Sequence, residues 1–261
     1  MLASTHASGL LQQGIDDYNK GKTESARVCL EKEVAANPKS ETAYYYLSVI
    51  YVGMGKLDAA AACLKKLIGI NYYYRGAHYA LGEVYKKQGA FAEAVDEYAK
   101  SIKVEPTARA YFNIGVLRAK MQDYDEAVYA FRKSLGIDRH NVYTHYNLGN
   151  VYEAKGALRE ALDEYKQVLR HRPKFVMAHY HRGAVLERLQ RDEEAVVAFI
   201  TCVEIDKSFA PGYLALALTY EKMGRKNDAV KYYRRYAATE TDPAKKQEAL
   251  RKARDLTAGG E

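Results

Sequence analysis

Residues 142–175 read VYTHYNLGNVYEAKGALREALDEYKQVLRHRPKF, and this stretch decides the fold. His145, Leu148, Gly149 and Tyr152 step by three, one and three, which places them on one face of a helix. Gly156 interrupts, and a glycine there can take the left-handed conformation that closes one helix and turns into another. Leu158, Ala161, Leu162, Tyr165, Val168 and Leu169 then form the apolar stripe of a second helix, which Pro173 stops. Two helices of this length expose too much apolar surface to stand alone. The pair needs neighbours.

The rest of the chain supplies them. Ala161 has equivalents at Ala26, Ala60, Ala94, Ala127, Ala195 and Ala229, spaced by 34 residues except for 33 between Ala94 and Ala127. The inter-helix glycine recurs as Gly21, Gly55, Gly89 and Gly224, with Gln122 and Gln190 replacing it in the fourth and sixth units. A small residue recurs in each first helix: Gly14, Ser48, Gly82, Gly115, Gly149, Gly183 and Ala217. Opposite it, the second helix carries Leu30, Leu64, Tyr98, Phe131, Tyr165, Phe199 or Tyr233, so the two helices are expected to approach closely at that point. Pro38, Pro106 and Pro173 end three of the second helices.

This pattern of period, Leu-Gly, Tyr, Ala, aromatic and Pro resembles the tetratricopeptide repeat family. The resemblance covers about residues 7 to 241 as seven repeats: 7–40, 41–74, 75–107, 108–141, 142–175, 176–209 and 210–241. The aromatic that opens each first helix is kept at Tyr44, Tyr111 and Tyr213 and replaced by Leu10, His78, His145 and His179. It implies an all-α, right-handed superhelical solenoid of helix-turn-helix repeats, in which first helices line a concave surface and contacts run mostly between neighbours. The missing residue before Ala108 shortens one connector. Asp242 and Pro243 form a helix-start pair, so a capping helix is expected over 242–256, with Ala249, Leu250, Ala253 and Leu256 as its apolar stripe. Residues 1–6 and 257–261 are expected to fray.

Composition narrows the function. The 261 residues lack a long apolar run and a basic-then-apolar leader, so a soluble, cytoplasmic chain without membrane insertion is expected. Three cysteines without close spacing argue against a disulfide framework and against a zinc site. A net charge of +7 permits an acidic partner or a nucleic acid and requires neither. No phosphate-cradling glycine loop, nucleophile elbow or paired-histidine metal motif occurs, so neither an enzyme nor a cofactor is expected. His78, His145 and His179 fall at the structural aromatic position, where packing is the expected role. The usage of 24 Tyr against 6 Phe and no Trp suits half-buried, binding-type surfaces.

In the family the concave groove binds extended peptides, and the stripe one third of a turn from the packing face points there. Its fifth-position column is Leu11, Tyr45, Tyr79, Phe112, Tyr146, Tyr180 and Leu214, which serves either ligand contact or packing between first helices. Tyr143 lies on the same face. Asn113, Asn147 and Asn150 lie beside it, and the resemblance implies that such amides can clamp a peptide main chain. The two-carboxylate clamp of chaperone-tail receptors is argued against, because Leu11 and Ile15 stand where its lysine and asparagine would be. Lys86, Lys87, Arg109 and Lys120 make the third and fourth repeats basic, whereas Glu153, Glu187 and Glu221 recur in the last three. These charges read either as ordinary solvated surface or as complements to an extended ligand with an acidic and a basic part. The connector run Tyr72-Tyr73-Tyr74 cannot turn all three rings inward, and a partner or second copy is an expected contact there.

The leading expectation is a non-catalytic interaction scaffold that binds an extended peptide or segment of another protein. The alternative is a structural scaffold that forms homo-oligomers through its end repeats or the Tyr72–Tyr74 patch. Helical-repeat RNA binding is disfavoured, because the groove positions are aromatic or acidic as often as basic.

Overall fold

The computed structural model describes residues 2–258, with side chains described from Gly9. Part of the expected fraying, at residue 1 and at 259–261, lies outside these residues. The chain divides into two compact units, Met1–Ile137 and Asp138–Glu261. The first holds α1 (Leu2–Asn19), α2 (Thr23–Ala36), α3 (Glu41–Gly53), α4 (Leu57–Ile70), α5 (Ala77–Gln88), α6 (Phe91–Val104), α7 (Ala108–Lys120) and α8 (Tyr124–Ile137). The second holds α9 (Val142–Ala154), α10 (Leu158–His171), α11 (Val176–Arg188), α12 (Asp192–Ile205), α13 (Ala210–Lys222), α14 (Lys226–Thr239) and α15 (Pro243–Ala258). No strand occurs among the described residues.

Within each unit the helices pair as the small-residue pattern requires. A Cβ built on Gly149 would lie 2.7 Å from Tyr165 Cε1, and one on Gly183 would lie 2.5 Å from Phe199 Cε1. These rings therefore seat where only a hydrogen can face them, and they are at most 2% exposed. The seven period-marking alanines are all 0% exposed, one at the heart of each pair. Second helices also pack on the following first helix inside a unit, as α4 does on α5 and α10 on α11.

The turn chemistry explains why the glycines recur. Gly156 has φ +77°, its N–H donates to Glu153 O, and Ala157 N–H donates back to Tyr152 O at 2.9 Å. This is a left-handed helix end with its last carbonyls satisfied. Gln122 and Gln190 take the same conformation at φ 63° and 59°, with a side chain in a region that glycine occupies at far lower cost.

One connector departs from the expected phase. The link 71–76 is longer by two than those at 37–40, 172–175 and 206–209. Gly76 takes φ +84°, and α5 starts at Ala77, two residues into its repeat, whereas α3, α7, α9, α11 and α13 start on the first residue of theirs. Arg75 is thereby left in the link, where its guanidinium bonds both oxygens of Glu105 at 2.7 and 2.8 Å. The following connector, 105–107, is the shortened one.

The C-terminal helix packs on α14. Asp242 Oδ1 accepts from Ala244 N–H at 2.9 Å, the cap that the Asp-Pro pair implied. Ala249 and Ala253 seat it, while Leu250, expected in the stripe, is 38% exposed.

Candidate functional site

The fifth-position rings Tyr45, Tyr79, Phe112, Tyr146 and Tyr180 are all half-buried, each anchored on one side by a ring of its own repeat or of the adjoining connector. Tyr45 packs on Tyr74 at 5.8 Å between centroids, Tyr79 on Tyr98 at 5.3 Å, and Phe112 on Phe131 at 5.9 Å. In the second unit Tyr146 packs on Phe175 at 5.2 Å and Tyr180 on Phe209 at 5.4 Å. Packing thus occupies one side of each of these rings.

In the first unit Glu83 is the polar hub, a residue that the position argument passed over. Its Oε1 accepts from Asn113 Nδ2 at 2.8 Å, from Lys86 Nζ at 2.8 Å and from the Tyr98 hydroxyl. Asn113 also donates to the Tyr79 hydroxyl at 2.9 Å. Burial alone would raise the Glu83 carboxyl, but the Lys86 ammonium and Tyr98 hydroxyl hold it below the usual carboxylate range. Burial and the Glu83 charge together push the Tyr79 phenol up to about 12, so it stays a neutral donor. The Arg109 guanidinium lies over the Tyr79 ring at 5.1 Å.

Beside this hub an apolar slot of about 280 Å³ opens between α3 and α5, lined by Val49, Val52, Leu64, Tyr79, Val84 and Glu83. Of these, only Tyr79 is expected from the sequence as a site residue, and Leu64 is expected as packing. The valines carry a signal in their spacing, since Val49 and Val52 occupy the ninth and twelfth positions of the second repeat.

The second unit has a related arrangement. The Tyr165 hydroxyl contacts Asn150 Oδ1 at 2.8 Å and Glu153 Oε2 at 2.9 Å, and His181 Nδ1 lies 3.1 Å from the same carboxylate oxygen. Burial opposes the Glu153 charge, but the His181 and Tyr165 hydrogen bonds outweigh it and hold the carboxyl low. Asn147 Nδ2 donates to Tyr143 O of its own helix at 2.7 Å. Tyr143 is 51% exposed and accepts from Arg172 Nη1 at 3.0 Å. Glu187 and Glu221 accept hydroxyls from Thr219 and Tyr233. The recurrent carboxylates therefore hold the repeats together as well as charging the surface.

Of the tyrosine run, Tyr74 tucks against Tyr45, whereas Tyr72 and Tyr73 are 43% and 73% exposed. Tyr72 lies edge-on to His78 at 4.7 Å. Among the described residues no group of three metal-ligating side chains converges, and no helix is long and apolar enough to cross a membrane.

Models of the tetratricopeptide repeat match residues 11–74, 75–108, 106–174, 178–209 and 210–243. The chain belongs to the tetratricopeptide repeat family. Human tetratricopeptide repeat protein 13 is 30% identical over 95 residues, 36% of this chain and 11% of that protein. The chain spans about a tenth of the length of the curated relatives it first matches, at 11%, 9% and 12%. The C-terminal part of a repeat-containing protein from Cytophaga hutchinsonii superimposes with a TM-score of 0.79 at 16% identity, over 92% of this chain and 99% of that one. YrrB, described as a repeat protein with an unusual peptide-binding site, superimposes with a TM-score of 0.64 at 18% identity, over 71% of this chain and 96% of its own. At these identities the structures speak to the fold. Tetratricopeptide repeats are scaffolds that generally mediate protein–protein interaction without catalysis.

Proposed function

We propose that this chain is a non-catalytic scaffold that holds an extended segment of another protein against the first-helix face of its repeats. The observation that carries the reading is the set of half-buried fifth-position rings within each unit, each anchored on one side by another ring. Such side chains lose little freedom on binding, so contact area converts to affinity at low entropic cost. The slot against Tyr79 gives that face a place for one apolar side chain, and Asn147, Lys86 and Arg109 supply polar contacts near the rings. The peptide-binding site named for YrrB is consistent with this use of the fold. A cytoplasmic setting fits three free cysteines.

Cross-linking recovery of partners tests the reading, comparing the unaltered chain with Val49→Asp and with Tyr146→Ala/Asn147→Ala. Loss of a shared set of partners in either variant is expected. Equal recovery from all three places binding elsewhere. The exposure of Tyr72 and Tyr73 favours one second reading, self-association through that patch. Light scattering across concentrations decides it: a mass that stays monomeric, or a Tyr72→Ser/Tyr73→Ser variant with unchanged mass, removes it.

A further inference from the structure

The first unit contains a cavity of about 230 Å³ where the long connector meets the N-terminal end of α7. His78, Tyr79, Arg75, Glu105, Thr107 and Arg109 line it. His78 is 3% exposed, and its Nε2 has no hydrogen-bond partner. A buried polar atom left in that state costs on the order of 1–3 kcal/mol, so its retention calls for an explanation.

The chain contains its own comparison. His145 occupies the same repeat position, and both histidines set Nδ1 against a carboxylate 19 residues later: His78 on Glu97 at 2.7 Å, His145 on Glu164 at 2.6 Å. His145 completes the arrangement with Nε2 on the connector carbonyl of Arg139 at 3.0 Å, and His179 Nε2 reaches Pro173 O at 2.8 Å. In each case the oxygen belongs to the residue six before the histidine. For His78 that residue is Tyr72, in the connector lengthened at Gly76, and its ring rather than its carbonyl meets the imidazole. His78 is thus one acceptor oxygen short of the set that His145 has.

We propose that the cavity takes a carboxylate oxygen from an acidic side chain of the bound peptide, which accepts from Arg109 and from Nε2–H of a His78 ring that also donates Nδ1–H to Glu97. This rests on the groove reading only in assigning the carboxylate to a peptide. Charge favours an anion over a neutral carbonyl. Arg75 and Glu105 neutralise each other, Glu97 is paired by Lys100 at 2.7 Å, and Arg109 adds a cation in the first turn of α7. Thr107 caps that helix by accepting from Ala110 N–H at 3.2 Å, which leaves its hydroxyl hydrogen for the ligand. Tyr79 walls both this cavity and the valine slot, so the preferred ligand has an apolar side chain near an acidic one.

The test uses the full chain with two probes, N-acetyl-glutamate amide and N-acetyl-glutamine amide, followed through the His78 imidazole resonances. The acid should shift them saturably and the amide should not. Arg109→Gln, on an exposed side chain, should weaken the response about tenfold or more while leaving the fold intact by circular dichroism. Equal responses to the two probes, no response to the acid, or an unchanged response in Arg109→Gln each overturn the proposal. A random-peptide selection separates this from the groove reading. Selected peptides that depend on Val49 but lack a favoured acidic position sink the carboxylate site alone. A His78 response to the acid with selection indifferent to Val49→Asp sinks the groove alone.

Discussion

His145 and His179 stand at the same position of adjacent repeats, yet their Nδ1 atoms meet opposite fates. That of His145 lies 2.6 Å from the Glu164 carboxylate, and that of His179 is buried without a partner. With Nε2 facing a carbonyl oxygen in both, His145 has acceptors at both nitrogens and is satisfied only as the imidazolium. His179 needs a proton at Nε2 alone.

The two should therefore titrate on opposite sides of the ordinary histidine value. Burial opposes the His145 charge, but Glu164 and the Arg139 carbonyl raise it overall, whereas burial lowers His179. The stabilisation from His145 is full below the unfolded-state value and is lost as pH rises through its folded one. The neutral preference of His179 costs stability as pH falls below the unfolded value, until its folded value is passed. Imidazole proton resonances followed against pH should show His145 titrating above about 6.5 and His179 below it. A shared midpoint would contradict both assignments.

Glu83 should steepen acid unfolding. Its carboxyl is held low, so its contribution is present above the unfolded-state value and disappears as pH falls through the folded one. Urea unfolding of Glu83→Gln should show less loss of stability than the parent between about pH 5 and pH 3. Tyr98→Phe, which removes one of three donors to the same oxygen, should cost about 0.5–1.5 kcal/mol at neutral pH.

Gly183→Ala should destabilise by about 1–3 kcal/mol, because its Cβ would meet the Phe199 ring from 2.5 Å and that ring is 1% exposed. Gly69→Ala is the control: it lies in α4 with nothing within 4 Å of a new Cβ, and it should stabilise by about 0.5–1 kcal/mol. Denaturant midpoints that move in the same direction would refute the close-approach argument.

The turn positions offer a reciprocal exchange. Gln122→Gly relieves a left-handed side-chain-bearing residue and should raise stability by about 1 kcal/mol, while Gly156→Ala should lower it by about as much. Thermal unfolding of the two variants checks the signs.

Much of the fold was legible because each repeat carries its own local instructions. Ala161, Gly149, Tyr165 and Gly156 announce a helix pair and its turn by spacing alone, and the period repeats the announcement. The candidate site was legible only as a column of positions. Tyr45, Tyr79 and Tyr146 follow from helical phase, but their anchoring rings Tyr74, Tyr98 and Phe175 lie on other elements. The asparagines show the same limit. Asn113 is read from sequence as a ligand clamp, and in the structure it is also buried between Tyr79 and Glu83.

The sequence by itself determined the helices, the turns and the family, because these rest on apolar periodicity, glycine and proline, which act over a few residues. Only the tertiary structure decided which polar groups find partners. A two-residue lengthening at Tyr72–Gly76 keeps the period intact elsewhere, yet it leaves Nε2 of His78 without the carbonyl that serves His145 and His179. Hydrogen bonding depends on ångström placement of atoms from separate segments, and no pattern of residue types records that distance.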